Sequence, residues 1–447
     1  MAKLGQRIAL AGLVIYVIFA PHSVAASASG VVIAGLGWLL RTLATRSFGL
    51  RRTKFDVIIV LLLLWTVLSS LLSAEPRISI AKVHASWSVF LFYLTRATLN
   101  RRSTLVLVAL LILSGAAGSL YSAFDLLRGR GVVVESLASD SPFHQVGIQP
   151  GDTIWRIGKS RVYSTAELDE ALRQAPANTP LTIGIISHGE QVERPLIVSG
   201  SSTSGITGSE RNHRFRASGW TRHYETFAEL MQMIAQLALG LALAHLRNHG
   251  ANRYFRVAIV AAAVLTAGLV FTAMRTVIVA FVIAASFIAF RSLRSGFKVA
   301  FTFALFFVIA FGAVVVWQTR DRNALLLGDP SSSLRLQVAR VGLSRIPLHP
   351  IFGHGMDAMK LHWSEWGFPG KDMLHLHSTP LQLAFDRGLP MLALWLWLMI
   401  AFWWGLARDE RRSADLSDTN AYGILLGTFG ALTGFLVSSL VNYNYGD

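Results

Sequence analysis

Long apolar runs separated by short polar or basic connections dominate the chain. A helix needs about 20 apolar residues to cross a hydrocarbon core of about 30 Å. Eleven runs approach or reach that length: 8–26, 30–48, 55–74, 83–98, 104–126, 224–246, 254–273, 276–291, 297–318, 378–405 and 420–442. The pattern predicts an all-α polytopic membrane protein with about 11 transmembrane helices.

Two long stretches interrupt this pattern. The first, from Gly131 to Val198, combines alternating strand-like runs, turn residues and one helix, which is typical of a small α+β domain. A Gly/Ser-rich stretch, 199–208, follows as a flexible linker. The predicted parts are transmembrane helices 1–5 (1–127), the insert (128–199), the linker and return segment (200–223), transmembrane helices 6–9 (224–318), a second long loop (319–377) and the C-terminal transmembrane helices (378–447).

The charge distribution predicts the orientation. The chain is 53% apolar and 15% charged, with a net charge of +16. Most Lys and Arg outside the two long loops fall in connections on one side, so we expect a cytoplasmic N-terminus, with both long loops on the opposite side. The basic residues therefore indicate contact with lipid headgroups, and no nucleic-acid partner is predicted. The first 28 residues also fit a cleaved signal peptide, whose loss would leave the remaining topology unchanged.

The second long loop is the main candidate for chemistry. The chain has no cysteine, which excludes disulfides and a cysteine nucleophile. The loop is rich in basic side chains and histidines, which suits an anionic, phosphorylated ligand. These residues are Arg320, Arg322, Arg335, Arg340, Arg345, His349, His354, His362, His375 and His377.

His377 lies just before a predicted helix N-terminus, with Ser378 as the cap and Pro380 in the first turn. Such an end attracts phosphate and favours a neutral imidazole, the form that a general base needs. The alternatives are that His375 and His377 are interfacial hydrogen-bonding residues or a metal pair. Zinc would need further ligands, and none stands at a convincing spacing, so no metal site is predicted.

The insert resembles the PDZ domains of bacterial periplasmic proteases. The similar residues are Gly131-Val-Val-Val-Glu-Ser, Ser141-Pro142, Gly147-Ile-Gln-Pro-Gly151-Asp and Ser164-Thr-Ala-Glu167-Leu. Gly147 and Gly151 suit turns, and Ser164 with Glu167 fits a capping box.

A PDZ domain adds a peptide end as a strand, with loop amides holding its carboxylate. That loop would be Arg128-Gly129-Arg130-Gly131, and its ligand a periplasmic protein or peptide. The two arginines depart from the usual apolar loop, and the loop follows a membrane span almost directly. A docking or spacer module therefore remains the alternative.

The membrane part resembles the superfamily of O-antigen ligases and polymerases. His377-Ser378, nine residues and then Gly388 match a ligase pattern, although Met391 stands where that pattern ends in a small residue. This mismatch weakens the choice of ligase over polymerase. Three further similar stretches are Phe271-Thr-Ala-Met-Arg275-Thr-Val, Ser333-Leu-Arg335 with Ile346-Pro-Leu-His-Pro-Ile-Phe-Gly353-His-Gly355, and Arg216-Ala-Ser-Gly219-Trp-Thr-Arg222-His223. The resemblance covers residues 210–447 and implies a GT-C-like glycosyltransferase of the bacterial inner membrane, with both long loops periplasmic.

The resemblance also implies roles for single residues. Superfamily members hold the pyrophosphate of a polyprenyl-linked glycan with arginines at the corresponding turn and loop, which gives that role to Arg275 and Arg335. His377 would deprotonate or orient the acceptor hydroxyl. Further candidates for binding the pyrophosphate or the acceptor are Arg340, His375, Arg222, His223 and Arg216. From the residues alone, Arg275 is equally well explained as an interfacial arginine that reaches toward the headgroups.

The expected reaction transfers a glycan from undecaprenyl pyrophosphate to an acceptor, without nucleotide, divalent metal or other cofactor. The acceptor would be a lipid A core sugar for a ligase, a second glycan for a polymerase, or a protein side chain for an O-oligosaccharyltransferase. Superfamily members commonly have another span beyond the position of Asn442, so we expect either a truncated sequence or the absence of that helix.

Two other classes compete with glycan transfer. A transporter or flippase with the insert as a scaffold predicts charged or broken helices at mid-membrane, whereas the charges here gather at the predicted periplasmic ends. An intramembrane metalloprotease needs His-Glu-x-x-His, and the chain contains no such string.

Overall fold

The computed structural model describes the chain except residues 51, 177, 188–189, 199–202, 208–210, 222, 294, 320–329, 371–374, 414–417 and 445–447. The described part is mainly helical. Its helices are α1 (Ala2–Phe19), α2 (Val24–Thr45), α3 (Asp56–Leu72), α4 (Pro76–Lys82), α5 (Val89–Thr98), α6 (Arg101–Arg128), α7 (Thr165–Arg173), α8 (Tyr224–His249), α9 (Arg253–Phe271), α10 (Arg275–Ser292), α11 (Ser295–Thr319), α12 (Pro330–Arg345), α13 (Ala358–Leu361), α14 (Thr379–Ser413) and α15 (Thr419–Ser439).

The predicted count of eleven spans is corrected to nine helices that are long and apolar enough to cross a membrane, among the described residues. The run 55–74 forms α3, whose 17 residues extend only about 25 Å at 1.5 Å per residue. The run 83–98 splits into a 3₁₀ turn, Val83–Ser88, and the ten-residue α5. The multi-pass membrane architecture is confirmed, with two of the predicted spans shortened.

Helix α3 nevertheless passes alongside α14 from one end to the other. Before its start, the ring of Phe55 lies 5.3 Å from that of Phe402, late in α14. After its end, Ala74 donates its N–H to the carbonyl of Gly353 at 3.3 Å. Gly353 belongs to the second long loop, so α3 connects the two ends of the bundle. We call the end that carries the described residues of 129–221 and 330–378 the loop face.

Small residues bring the helices of the bundle into close contact. A Cβ atom at Gly12 would overlap the backbone of Ala34, so α1 and α2 pack backbone against backbone. The same holds for Gly240 of α8 and Gly427 of α15. Helix α8 is the most buried of the nine, and the largest apolar cluster forms around it.

The insert is a small α+β unit that closes over its own apolar core, as predicted. Its strands are β1 (Val132–Val133), β2 (Ser136–Leu137), β3 (Thr153–Ile157), β4 (Ser160–Arg161), β5 (Pro180–Ser187), β6 (Glu190–Ile197) and β7 (Ile206–Thr207). Strands β1-β3-β5-β6 form an antiparallel sheet with β4 beside β3, and β2 pairs separately with β7. Strand β7 lies within the stretch whose Gly/Ser composition predicted a linker.

The helix of the insert begins as predicted. Glu167 N–H donates to Ser164 Oγ at 3.2 Å, and Glu167 Oε2 accepts from Tyr163 N–H at 2.8 Å. The Glu167 side chain therefore accepts from Tyr163, the residue before the N-cap, and not from the N-cap Ser164 itself.

Helix α14 is interrupted at Gly388, whose φ of 80° and ψ of 170° are not helical. The loop 349–355 lies against this interruption. Leu389 N–H donates to the Pro350 carbonyl at 2.8 Å, and His354 N–H donates to the Phe385 carbonyl at 2.8 Å. A Cβ atom at Gly388 would overlap the Ile351 carbonyl, which explains why glycine is needed at this position.

Candidate active site

A cavity of about 320 Å³ opens between the ends of α8, α10, α12, α14 and α15 at the loop face. Four residues that the sequence singled out line it together: Arg216, Arg275, Arg335 and His377. The remaining lining residues are Tyr224, Glu225, Met274, Thr276, Ser332, Leu336, Ala339, Leu376, Ser378, Leu381, Leu440 and Val441. The cavity is thus lined by three arginines, one histidine and one glutamate, with an otherwise largely apolar wall.

His377 adopts an uncommon backbone conformation, with φ at 50°. A non-glycine residue in this region costs on the order of 1–3 kcal/mol, and such residues concentrate at functional sites. Helix α14 begins two residues later at Thr379, and Gln382 N–H donates to the Ser378 carbonyl at 2.8 Å. His377 therefore lies directly before a helix N-terminus, as predicted.

The imidazole of His377 is held in its neutral form. Burial lowers its pKa from 6.5 to about 4, and the positive charges of Arg335 and His375 act in the same direction. Its Nε2 atom is buried and has no hydrogen-bond partner in the part of the chain that the structure describes. A buried polar atom without a partner is unusual in a native protein, and catalytic groups are among the exceptions. A neutral imidazole can accept a proton from a bound hydroxyl.

Gln382, in the first turn of α14, supports the backbone on the other side of His377. Its Oε1 atom accepts from Leu376 N–H at 2.8 Å, and its Nε2 donates to Asp386 Oδ1 at 2.9 Å. The sequence reading missed this residue, although it stands in the stretch that predicted the helix start.

Two arginines face the cavity from different elements. Arg335, in α12, makes two long contacts, each of 3.5 Å, with Glu225 Oε1 and Asn442 Oδ1. Arg275 starts α10 and donates to Ser332 Oγ at 3.4 Å. Hydrogen bonds as long as those of Arg335 are weak, so a phosphate that approached the Arg335 guanidinium would be a stronger partner than Glu225 or Asn442.

Arg216 enters the cavity from the segment that returns from the insert. Its side chain is buried, and its guanidinium lies 4.2 Å from the centre of the Tyr224 ring. Its carbonyl accepts from Gln191 Nε2 at 3.2 Å. The next residue, Ala217, donates its N–H to the Phe271 carbonyl at 3.0 Å. Arg216 is therefore fixed between the insert and α9.

Asn442, after α15, joins several elements beneath the cavity. Its Nδ2 atom donates to Glu229 Oε1 at 3.3 Å and to Thr276 Oγ1 at 3.1 Å. Its carbonyl accepts from the N–H of Thr379 at 3.0 Å, which ties it to the start of α14. The sequence reading missed Asn442 and the carboxylates Glu225 and Glu229. A pair of carboxylates one turn apart at the start of an apolar run was the signal available for the latter two.

The other predicted binding residues do not line the cavity. Arg340 is exposed on α12, and His223 is exposed just before α8. His375 packs on Tyr443 with 4.8 Å between ring centres, and its positive charge lowers the His377 pKa. Arg222 lies outside the described residues.

The predicted carboxylate loop of the insert is already engaged. Gly129 N–H donates to the Asp125 carbonyl at 3.0 Å, and Arg130 N–H donates to the Asn212 carbonyl at 2.8 Å. The Arg130 side chain is buried in an ion pair with Asp125, and Arg128 lies over the Tyr163 ring at 4.2 Å. A Cβ atom at Gly131 would come within 2.6 Å of the Thr153 side chain. Because Arg128 lies in the last turn of α6, three of the four amides already have chain partners.

Comparison with known families places two matches on the chain. Residues 260–396 match a family model described as O-antigen ligase, and residues 113–195 match one described as PDZ domain. The first match contains Arg275, Arg335 and His377, whereas Arg216 lies outside both. No curated protein matches the chain significantly.

Proposed function

Because the chain carries an O-antigen ligase domain, with a PDZ domain ahead of it, in a multi-pass membrane protein, we propose that it is a glycosyltransferase. It moves a glycan from undecaprenyl pyrophosphate to an acceptor hydroxyl, for which we propose a lipid A core sugar. The observation that carries this proposal is the cavity in which neutral His377 faces Arg216, Arg275 and Arg335.

The three arginines provide the donor site. Guanidinium groups bind phosphate oxygens through charge-assisted, often paired hydrogen bonds. The start of α14 adds the positive end of a helix dipole. A cavity of about 320 Å³ is at the small end of ligand sites. It suits the pyrophosphate and the attached sugar, while the rest of the glycan and the lipid extend outside.

The reaction needs one bond to form and one to break. The acceptor oxygen attacks the anomeric carbon, and the bond from that carbon to the pyrophosphate oxygen breaks. The departing undecaprenyl pyrophosphate keeps the electron pair, which the arginines stabilise. His377 takes the proton of the acceptor hydroxyl and passes it to water. Arginines supply the positive charge at the leaving group, so we propose that transfer needs no divalent metal or other cofactor.

The location follows from the charge distribution. We place the basic connections in the cytoplasm and the loop face in the periplasm of a bacterial inner membrane, where lipid-linked donor and acceptor would meet.

A polymerase is the second candidate, because Met391 replaces the small residue of the ligase pattern. Its side chain is buried in one apolar cluster with Ile58 and Leu62, and it does not line the cavity. The substitution therefore changes the packing of α14 against α3 and leaves the residues that line the cavity unchanged.

The test is transfer by the purified protein. It is incubated with an undecaprenyl-pyrophosphate glycan and, separately, with lipid A core, a second lipid-linked glycan or an acceptor protein, each with and without EDTA. We expect one acceptor to gain the glycan mass, with release of undecaprenyl pyrophosphate that EDTA does not reduce. Absence of release with every acceptor would refute glycan transfer and favour a transporter or scaffold. Loss of release in EDTA alone would refute metal independence.

A further inference from the structure

The peptide groove of a PDZ domain lies between a strand and a helix, and a ligand joins it as an added strand. In this insert the strand wall is formed by residues 135–138, and the chain itself already pairs with it. Glu135 N–H donates to the Thr207 carbonyl at 2.9 Å, and Ala138 N–H donates to the Gly205 carbonyl at 2.7 Å. The pairing is antiparallel and places Leu137 opposite Ile206.

The same segment also contacts the helix wall. Ser204 N–H donates to Asp169 Oδ1 in α7 at 2.8 Å, and the Ser204 carbonyl accepts from Ser141 Oγ at 2.6 Å. The Ile206 side chain packs against the apolar core of the insert, next to Leu137. Residues 203–207 therefore lie where a bound peptide strand would lie.

A second contact between the return segment and the insert lies at Asn212. Asn212 and Arg130 exchange backbone hydrogen bonds of 2.8 and 3.0 Å, and Asn212 Nδ2 donates to Thr153 Oγ1 at 3.0 Å. The Arg130 guanidinium then covers the Phe215 ring at 4.6 Å. The next residue is Arg216.

We propose that residues 203–207 are the resident ligand of the PDZ groove, and that their docking positions Arg216 in the cavity. An internal ligand on a short tether has an effective concentration on the order of millimolar, so a free peptide of ordinary affinity does not displace it. The PDZ domain then holds the return segment in a fixed position.

The inference that docking positions Arg216 for donor binding rests on the proposed function. Arg216 lines the cavity, its carbonyl accepts from Gln191 of the insert, and the adjacent Ala217 N–H donates to the Phe271 carbonyl of α9. Undocking the segment removes the insert's hold on the backbone before Arg216. We therefore expect weaker donor binding in an undocked protein.

Docking is tested by a disulfide. The chain contains no cysteine, so Ser136→Cys with Thr207→Cys is the only thiol pair in that variant. These two residues face each other in the β2–β7 register, and their side chains are in contact. The matched control combines Thr207→Cys with Lys159→Cys. Lys159 lies in the turn between β3 and β4 and does not belong to the β2–β7 pair. We expect rapid, nearly complete oxidation of the first pair and little of the second. Equally slow oxidation of both would overturn the proposal.

Occupancy is tested with Ile206→Asp, which puts a charge into the apolar groove. A labelled peptide with the sequence of residues 203–212 is the probe, added to wild type, to Ile206→Asp and to the oxidised cysteine pair. We expect binding to Ile206→Asp alone, because only that variant empties the groove. Binding to wild type with the same affinity as to Ile206→Asp would overturn self-occupancy.

Positioning is tested by rescue. We expect Ile206→Asp to raise the donor KM or lower transfer by about tenfold or more, since small misplacements in a site have effects of this size. Adding the cysteine pair to Ile206→Asp should restore transfer when oxidised and lose it again when reduced. Unchanged transfer in Ile206→Asp, or no rescue by oxidation, would refute positioning of Arg216. If the wild type transfers no glycan, the proposed function fails, while the disulfide and peptide measurements still decide docking.

Discussion

Leu376 donates its backbone N–H to the side-chain oxygen of Gln382 at 2.8 Å, across the residue whose imidazole faces the cavity. Gln382 is anchored in turn to Asp386 at 2.9 Å, one turn further along α14. Both side chains are buried, and neither lines the cavity. The left-handed backbone of His377 is thus held by a hydrogen-bond chain that touches no substrate, which makes Gln382 a positioning residue.

Replacing Gln382 by leucine should therefore impair the chemical step more than donor binding. The leucine leaves Leu376 N–H without its acceptor, so the strained conformation of His377 loses its support. We expect kcat to fall about 10–100-fold, with a donor KM within about threefold of wild type. The rate of transfer at saturating and limiting donor separates the two parameters.

The control for this prediction is a second substitution in the same protein. If Gln382 acts through His377, then His377→Ala causes little further loss in Gln382→Leu, since residues that act as a unit are not additive. A full additional loss would show that Gln382 contributes by another route.

The pH dependence of transfer should reflect the lowered pKa of His377. Its folded pKa of about 4 lies below the ordinary value of 6.5, so the imidazole remains a base well below neutral pH. We expect kcat/KM of wild type to stay level as pH falls through 6.5 and to decline only near pH 4. An acid limb centred near 6.5 would contradict this account.

The same shift predicts a stability effect with a definite sign. As pH falls below 6.5, His377 becomes protonated in the unfolded chain. In the folded chain it stays neutral until about pH 4. Stability should therefore fall across this window in wild type, and less so in His377→Gln. Thermal unfolding in detergent at several pH values measures the difference.

Arg335 and Arg340 provide a matched pair on α12. Arg335 lines the cavity, whereas Arg340 is exposed and does not. Loss of a charge-assisted hydrogen bond costs about 1.5–3 kcal/mol, which corresponds to roughly 10–150-fold. We expect Arg335→Gln to raise the donor KM by that factor and Arg340→Gln to leave it within about twofold. Equal effects would show that the total charge of the loop matters, and not the cavity.

Alanine substitutions at Gly388 and Gly250 distinguish a steric clash from backbone strain alone. Both have positive φ, 80° and 68° respectively. A Cβ atom meets nothing within 4 Å at Gly250, but overlaps the Ile351 carbonyl at Gly388. The φ of 68° and ψ of −159° at Gly250 are essentially restricted to glycine, so Gly250→Ala should cost about 1–3 kcal/mol. Gly388→Ala should cost clearly more, because the loop 349–355 has to move off α14. Thermal unfolding of both variants in detergent tests this, and equal shifts would refute the role of the contact.

The sequence predicted the features that depend on local pattern. Apolar runs located the helices, and turn residues located the insert and the start of α14 at His377. It could not separate Arg335 from Arg340, because helical spacing puts them on different faces without saying which face meets α10 and α14. The run 83–98 was read as one span, since apolar composition does not reveal the 3₁₀ turn Val83–Ser88 inside it.

Features that depend on distant pairing were not predictable. Asn442 joins four elements far apart in the chain, and nothing in its own surroundings in the sequence marks it. Residues 203–207 are rich in glycine, serine and threonine, which is typical of a linker. Ile206 and Thr207 nevertheless form strand β7, because they pair with β2 and strand formation depends on context more than on composition.

The central claim is that the cavity around His377 and Arg275 is where the glycan leaves undecaprenyl pyrophosphate. The most direct measurement is the release of undecaprenyl pyrophosphate by wild type, His377→Ala, Arg275→Ala and the control Arg340→Gln, with equal amounts of folded protein. The account predicts release by wild type and Arg340→Gln, and a loss of about 100-fold or more in the other two. Release by His377→Ala and Arg275→Ala at the wild-type rate would contradict it.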